Sequence, residues 1–333
     1  MRRASAAAGL VAVAAFLAGC GGPAASAAST GRTTVHVASL KGPTTMGLVH
    51  LMDDATRGVG AQDYQVSVYG SPDQVVPLLV QGKADVALLP ANLAAVLYHQ
   101  TKAGTGPAVQ VAAVNTLGVL QLVEHGDTVR TWADLRGRTI TTTGKGTTPE
   151  YVLDYLLRAN GLDPGRDVAV DFDAEATALA SRVVSTPGTV AVLPQPYTTV
   201  VEQRSADVRT VMDLTDEWSK VADPGSRLVT GVLVVRTAFA RDHPAALADF
   251  LADYRASTQY TNDRPADAAV LVAAAGLTPD APTAQAAIPG CHIVYLDGEP
   301  MKTALSGYLQ VLYAADPRSV GGSLPDDDFY LAS

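Results

Sequence analysis

Cysteine is almost missing from this 333-residue sequence, which has two, Cys20 and Cys291. Charge is sparse at 17%, and its basic share is the smaller one, 24 Lys and Arg against 33 Asp and Glu. Two cysteines cannot build a disulfide scaffold, so the fold must rest on its core. A formal charge of −9 with no basic stripe repels phosphate backbones and argues against a nucleic-acid partner. Past the first twenty residues, no apolar run approaches the ~20 residues of a membrane-spanning helix.

Several catalytic signatures are missing as well. Gly144-Lys145-Gly146-Thr147 sets a lysine between glycines but lacks the spacing of a phosphate-binding loop, and no Gly-x-Ser-x-Gly elbow occurs. The histidines at 36, 50, 99, 125, 243 and 292 show no metal-binding pair on one helix face. Cys291-His292 has no second pair to close a zinc site. No catalytic residue, metal or cofactor is therefore expected, and Cys291 reads as a small buried residue.

What is present starts at the N-terminus. Arg2 and Arg3 precede an apolar run from Ala6 to Ala18 that closes on Leu17-Ala18-Gly19-Cys20. A basic start, a short apolar stretch and small residues read as a secretory leader over 1–19, not as a fold element. The last four residues resemble a bacterial lipobox, which implies cleavage before Cys20 and a lipid on its sulfur. An ordinary leader cut near Ala27-Ala28 is the alternative. Residues 20–33, mostly Gly, Ala, Ser, Pro and Thr, have the composition of a flexible tether. With Cys20 lipidated, Cys291 has no partner for a disulfide. Losing Arg2 and Arg3 takes the formal charge from −9 to −11.

The remaining chain, 47% apolar overall, is long enough for two domains with separate cores. Short apolar runs alternate with helical segments, the pattern of parallel sheets covered by helices. Strands are predicted over 35–40, 65–69, 85–89 and 109–114, with helices to Arg57, over 74–81 and over 93–100. A second series follows: strands at 119–123, 168–172 and 190–193, and helices over 150–159 and 174–184. Ala84-Asp85-Val86-Ala87-Leu88-Leu89-Pro90 in the first series is echoed by Gly188-Thr189-Val190-Ala191-Val192-Leu193-Pro194 in the second. Pro279–Pro289 and Leu324–Ser333 read as surface.

The segment Asp134-Leu135-Arg136-Gly137, then a strand, the loop Thr143-Gly144-Lys145-Gly146-Thr147-Thr148-Pro149 and a helix, resembles the second lobe of periplasmic binding proteins. Phe239, His243, Pro244, Phe250 and Leu251 match a spacing that follows the return crossover in that class. Over 34–312 the chain resembles the nitrate, sulfonate and taurine group of ABC-transporter substrate-binding proteins. That resemblance implies a two-lobed α/β fold of the second type, each lobe a mostly parallel sheet flanked by helices, joined by two hinge crossovers. Lobe 1 is expected to hold 34–115 and 215–333, and lobe 2 to hold 116–214.

It also implies function: a lipid-anchored monomer outside the cell membrane that binds a small molecule and delivers it to an ABC permease and its ATPase. Contact with the membrane would be through the lipid alone. Two other classes are weighed against it: a metabolite-converting enzyme on the same fold, such as one building the thiamine pyrimidine, and a sensing lipoprotein without transport.

In open α/β sheets ligands sit beyond the carboxyl ends of the strands, where turns lead into helix N-termini. The candidate ligand-binding residues are accordingly Thr44, Thr45, Met46, Ser71, Pro90, Asn92, Asn115, Thr116, Lys145, Gly146, Thr147, Thr148, Gln195 and Tyr197. Hydroxyl and amide groups dominate these turns, with Lys145 their one cation, so the expected ligand is polar or singly anionic. Helix capping is the competing role for Thr44, Ser71 and Thr147, and Tyr197 could equally be a half-buried packing residue.

Overall fold

The computed structural model describes residues 31–102, 104, 106–223 and 226–332. The leader, the expected cleavage site and Cys20 lie outside the described residues.

The body opens with β1 (Thr34–Leu40), α1 (Pro43–Met46), α2 (Val49–Arg57), β2 (Asp63–Tyr69), α3 (Pro72–Val80), β3 (Val86–Pro90), α4 (Ala91–Thr101) and β4 (Val109–Leu117). The one helix expected up to Arg57 is two, broken at Gly47, where a Cβ would lie 3.1 Å from Ile293 Cγ2 and 3.2 Å from Thr258 Oγ1. β5 (Leu120–His125), β6 (Thr139–Thr143), α5 (Thr148–Ala159), β7 (Ala169–Asp173), α6 (Ala176–Ser185), β8 (Val190–Pro194), α7 (Tyr197–Arg204), β9 (Val208–Asp213) and α8 (Leu214–Val221) follow. The chain then forms β10 (Val229–Arg236), α9 (Thr237–Asp242), α10 (Pro244–Asp263), α11 (Pro265–Ala274), α12 (Ala281–Ala287), β11 (Ile293–Leu296) and α13 (Gly298–Ala315).

These strands build two sheets. One runs β11-β4-β10-β3-β1-β2 and the other β7-β6-β8-β5-β9. Val86 to Leu89 in β3 are all buried, as an inner strand covered on both faces requires, whereas β2 at the sheet edge alternates its exposure. In α5, Val152, Leu153, Leu156 and Leu157 are buried along one stripe at helical spacing.

Both sheets are mixed, a correction to the mostly parallel expectation. β1 is parallel to β2 and β3, and β6 to β7 and β8, but β10 is antiparallel to β3 and β4, and β5 to β8 and β9. The antiparallel strands flank the two crossings between sheets, so no helical crossover forces them parallel.

The echo between the two series is structural. β3 lies between the first strand of its sheet and an antiparallel return strand, with Val37 facing Val86 and Val232 facing Leu89. β8 has the same place, with Ile140 facing Val190 and Gln121 facing Leu193. Pro90 and Pro194 therefore end equivalent strands.

The chain passes between the sheets at Gly118-Val119 and again after α8. Gly118 has no room for a side chain, since a Cβ there would fall 2.2 Å from Thr215 Oγ1 at the start of α8. α8 itself packs on α5, β5 and β9. α13 returns across both parts: the Tyr308 ring packs at a tilt 5.5 Å from that of Trp218 in α8, and its hydroxyl donates to Thr148 Oγ1 at 3.2 Å.

Two segments expected at the surface are not loose. α12 occupies most of Pro279–Pro289 and buries Thr283, Ala284 and Ala287, because small side chains let it approach α11 closely. In the acidic C-terminal stretch Phe329 is fully buried, 5.2 Å from the Tyr98 ring, while Asp326 and Asp328 pair with Lys102.

Candidate functional site

Between the two sheets lies a cavity of about 460 Å³. Its wall is built from three pairs of equivalent strand ends. Leu40 at the end of β1 answers Thr143 at the end of β6, Gly70 and Ser71 just past β2 answer Asp173 and Glu175 at and just past the end of β7, and Pro90 answers Pro194. Strand ends meet there because each sheet directs its parallel strands toward the other.

Six of the fourteen residues expected to bind ligand line this cavity: Thr44, Ser71, Pro90, Lys145, Thr147 and Thr148. Ser71 and Thr147 sit at helix starts, yet neither side chain caps its helix. Thr147 donates instead to Gly144 O at 2.5 Å, closing a turn in which Gly144 and Gly146 take left-handed φ of 69° and 75°. Only glycine adopts such values readily. Thr44 donates to Leu40 O at 3.0 Å.

The other eight residues stand off the wall. Thr45 is fully buried, bonded to Ser39 Oγ at 2.6 Å, and Met46 packs its sulfur 3.3 Å from Cys291 Sγ. The Asn92 amide donates to Gly146 O at 3.2 Å and Ser319 O at 3.0 Å and accepts from Thr148 at 3.3 Å, so it clasps the two sheets' helices together. Gly146 gives its amide to Glu150. Gln195 is held by Gln121 at 3.2 Å and by Thr199 Oγ1 at 2.9 Å. Tyr197 lies in the core around Val123, Leu179 and Leu193; burial, then the nearby Glu175 charge, pushes its hydroxyl up to about 12.

Asn115 and Thr116 are buried directly behind the cavity floor. Neither the Asn115 amide nor Thr116 Oγ1 has a hydrogen-bond partner among the described residues. A Cβ at Gly231 would lie 2.5 Å from Asn115 Oδ1 and 2.8 Å from Thr44 Cγ2, which places the amide against the floor.

Lys145 is not the cavity's one cation, and the wall is not uncharged. Lys41, Asp73, Phe172, Asp173 and Glu175 also line it. The turn after β7 was the part missed, although its equivalent after β2 was expected. Pairing the two strand series through Pro90 and Pro194 would have found it.

The chain matches the family model "NMT1/THI5 like" over residues 63–268, more than half its length, and belongs to that family. No curated protein sequence matches it. Among solved structures it is similar to an ABC transporter protein from Parabacteroides distasonis, with 24% identity, a TM-score of 0.71, and coverage of 90% of this chain and 99% of that one. The alkanesulfonate-binding protein SsuA from Xanthomonas axonopodis pv. citri, bound to MOPS, is 14% identical with a TM-score of 0.66, covering 89% and 96%. The periplasmic nitrate-binding protein NrtA from Synechocystis PCC 6803 is 12% identical with a TM-score of 0.61, covering 81% and 74%. At these identities the likeness establishes the periplasmic-binding-protein fold, as the sequence resemblance implied.

Proposed function

We propose that this protein is an extracytoplasmic solute receptor that captures a small polar organic molecule between its lobes and delivers it, unaltered, to an ABC permease and its ATPase. The observation that carries this reading is the shared wall. Equivalent turns from both sheets supply one cavity of about 460 Å³, a volume suited to a small molecule and not to a macromolecule. The solved structures of similar fold are named for ABC transport and solute binding, which supports the same reading.

In this reading lobe 1 holds 34–115 and the return from β10 onward, and lobe 2 the intervening chain. The packing of α8 on α5 and β9 favours counting it with lobe 2, so that lobe 1 resumes near 229 and not at 215. The two crossings act as a hinge, and closure over the solute presents both lobes to the permease in one register. The chain works as a monomer, held at the outer face of the membrane by lipid on Cys20. Among the described residues no helix is long and apolar enough to cross a membrane.

Native mass spectrometry of the full chain after incubation with a small-molecule extract tests the proposal. Retention of a compound that is later released with its mass unchanged is the expected result. Release of a converted compound would favour an enzyme on this fold, and retention of none would contradict the receptor reading.

A further inference from the structure

The cavity's charges are arranged unevenly. Lys41 and Lys145 are exposed, so water screens them, whereas Asp173 and Glu175 are partly buried in the wall. Asp173 Oδ1 accepts from Arg182 Nη2 at 2.6 Å, but Oδ2 is shut from solvent and has no hydrogen-bond donor among the described residues. A carboxylate oxygen can only accept, so Oδ2 is left without a hydrogen bond, although Arg182 pairs with the group's charge. Glu175 spends one oxygen on Thr177 Oγ1 at 3.3 Å and extends the other across the cleft to Gly70.

Beside these carboxylates Phe172 turns an aromatic face that already takes a positive charge. Lys145 Nζ sits 5.6 Å from the ring centroid, within the ~6 Å at which a ring attracts a cation. An aromatic face, an adjacent carboxylate with a free oxygen and a second carboxylate behind it form a receptor for an ammonium group. An anion placed there would meet Glu175 as a like charge. Thr230 of β10 lines the cavity from the opposite lobe, and its buried Oγ1 has no hydrogen-bond partner among the described residues.

We infer that the molecule bound in this cavity carries a protonated amine, which displaces Lys145 Nζ from Phe172 and donates to Glu175 while Thr230 holds its polar remainder. This rests on the receptor reading and adds the sign of the ligand's charge. Because Glu175 also touches Gly70 of the other lobe, neutralising it with a ligand cation couples binding to closure.

The test screens the full chain by native mass spectrometry against biogenic amines mixed with carboxylates and sulfonates of matched size, followed by titration calorimetry of whatever is retained. The inference expects amines to be retained, and their affinity to fall at least tenfold in both Glu175→Gln and Phe172→Leu and to rise in Lys145→Met. Both weakened positions are partly exposed, and an unchanged thermal midpoint of each ligand-free variant shows that it folds. Retention of acids alone overturns the inference and leaves the receptor standing, as does amine binding indifferent to both variants. Retention of no compound in any class contradicts the receptor reading and this inference with it.

Discussion

Glu175 reaches from the second lobe to Gly70 of the first so closely that a Cβ at position 70 would fall 2.3 Å from its Oε1. The contact needs a bare backbone at 70 and a flexible carboxylate at 175. Gly70→Ala is expected to be mild, since Glu175 can swing aside. Gly70→Val should hold the cleft open and weaken a retained solute at least tenfold, with little change in the thermal midpoint of the empty protein. Calorimetry of the two variants side by side checks this ordering.

Gly231 tolerates far less. A methyl group there would lie 2.5, 2.8 and 3.3 Å from Asn115 Oδ1, Thr44 Cγ2 and Thr116 Cβ, and all three neighbours are buried. Overpacking of that kind costs about 1–3 kcal/mol. Gly231→Ala should therefore lower the urea midpoint, and an unchanged midpoint would show that the floor yields.

Glu124 ties down the turn after β5. It is 1% exposed, accepts from the Thr128 and Val129 amides at 3.1 and 3.0 Å, and pairs with Arg209 at 2.7 Å. Burial pushes its carboxyl up, but the bonds from Thr128 and Val129 and the Arg209 charge outweigh it and hold the group below its ordinary value. A depressed carboxylate stabilises the fold above its unfolded pKa and loses that contribution as pH falls through the folded one. Glu124→Ala leaves buried donors unpaired, at a cost of about 1–3 kcal/mol. Urea unfolding should show that deficit at pH 7 and a smaller one near pH 3.

Asp154 has the opposite sign. Burial against α13 raises it from 3.8 to about 6; the Arg158 charge pulls it down, and Glu150 and Asp316 push it up. The folded state thus holds its proton more tightly, and stability falls as pH rises from 3.8 through about 6. Asp154→Asn should stabilise the protein at pH 8 by on the order of 1 kcal/mol, a figure reduced for its partial exposure. Below pH 4 the variant and parent should unfold together.

Strand ends were legible because Pro, Ser and Thr follow buried runs directly, and this rule alone brought Thr44, Ser71, Pro90, Lys145, Thr147 and Thr148 to the cavity wall. It could not separate a turn that faces a ligand from one that faces the protein. Asn92 and Gln195 have the same chemistry as a ligand-binding amide, and only packing shows that Gly146, Ser319 and Gln121 already satisfy them. The wall's carboxylates escaped notice because a turn reading Phe172-Asp173-Ala174-Glu175 looks like an ordinary charged helix start. The C-terminal stretch misled for a related reason: its aspartates suggest solvent, but they clamp Lys102 over the Tyr98 ring, against which the buried Phe329 packs.

The central claim is that the lobes move together over a solute. Spin labels at Gln74→Cys on α3 and Thr177→Cys on α6, both exposed positions on opposite sides of the cleft, report it by pulsed dipolar spectroscopy. Cys291 is buried and should stay unlabelled. Adding the tightest-retained compound should collapse a broad distance distribution onto a single shorter distance. A distribution that stays the same at saturating compound would contradict the account.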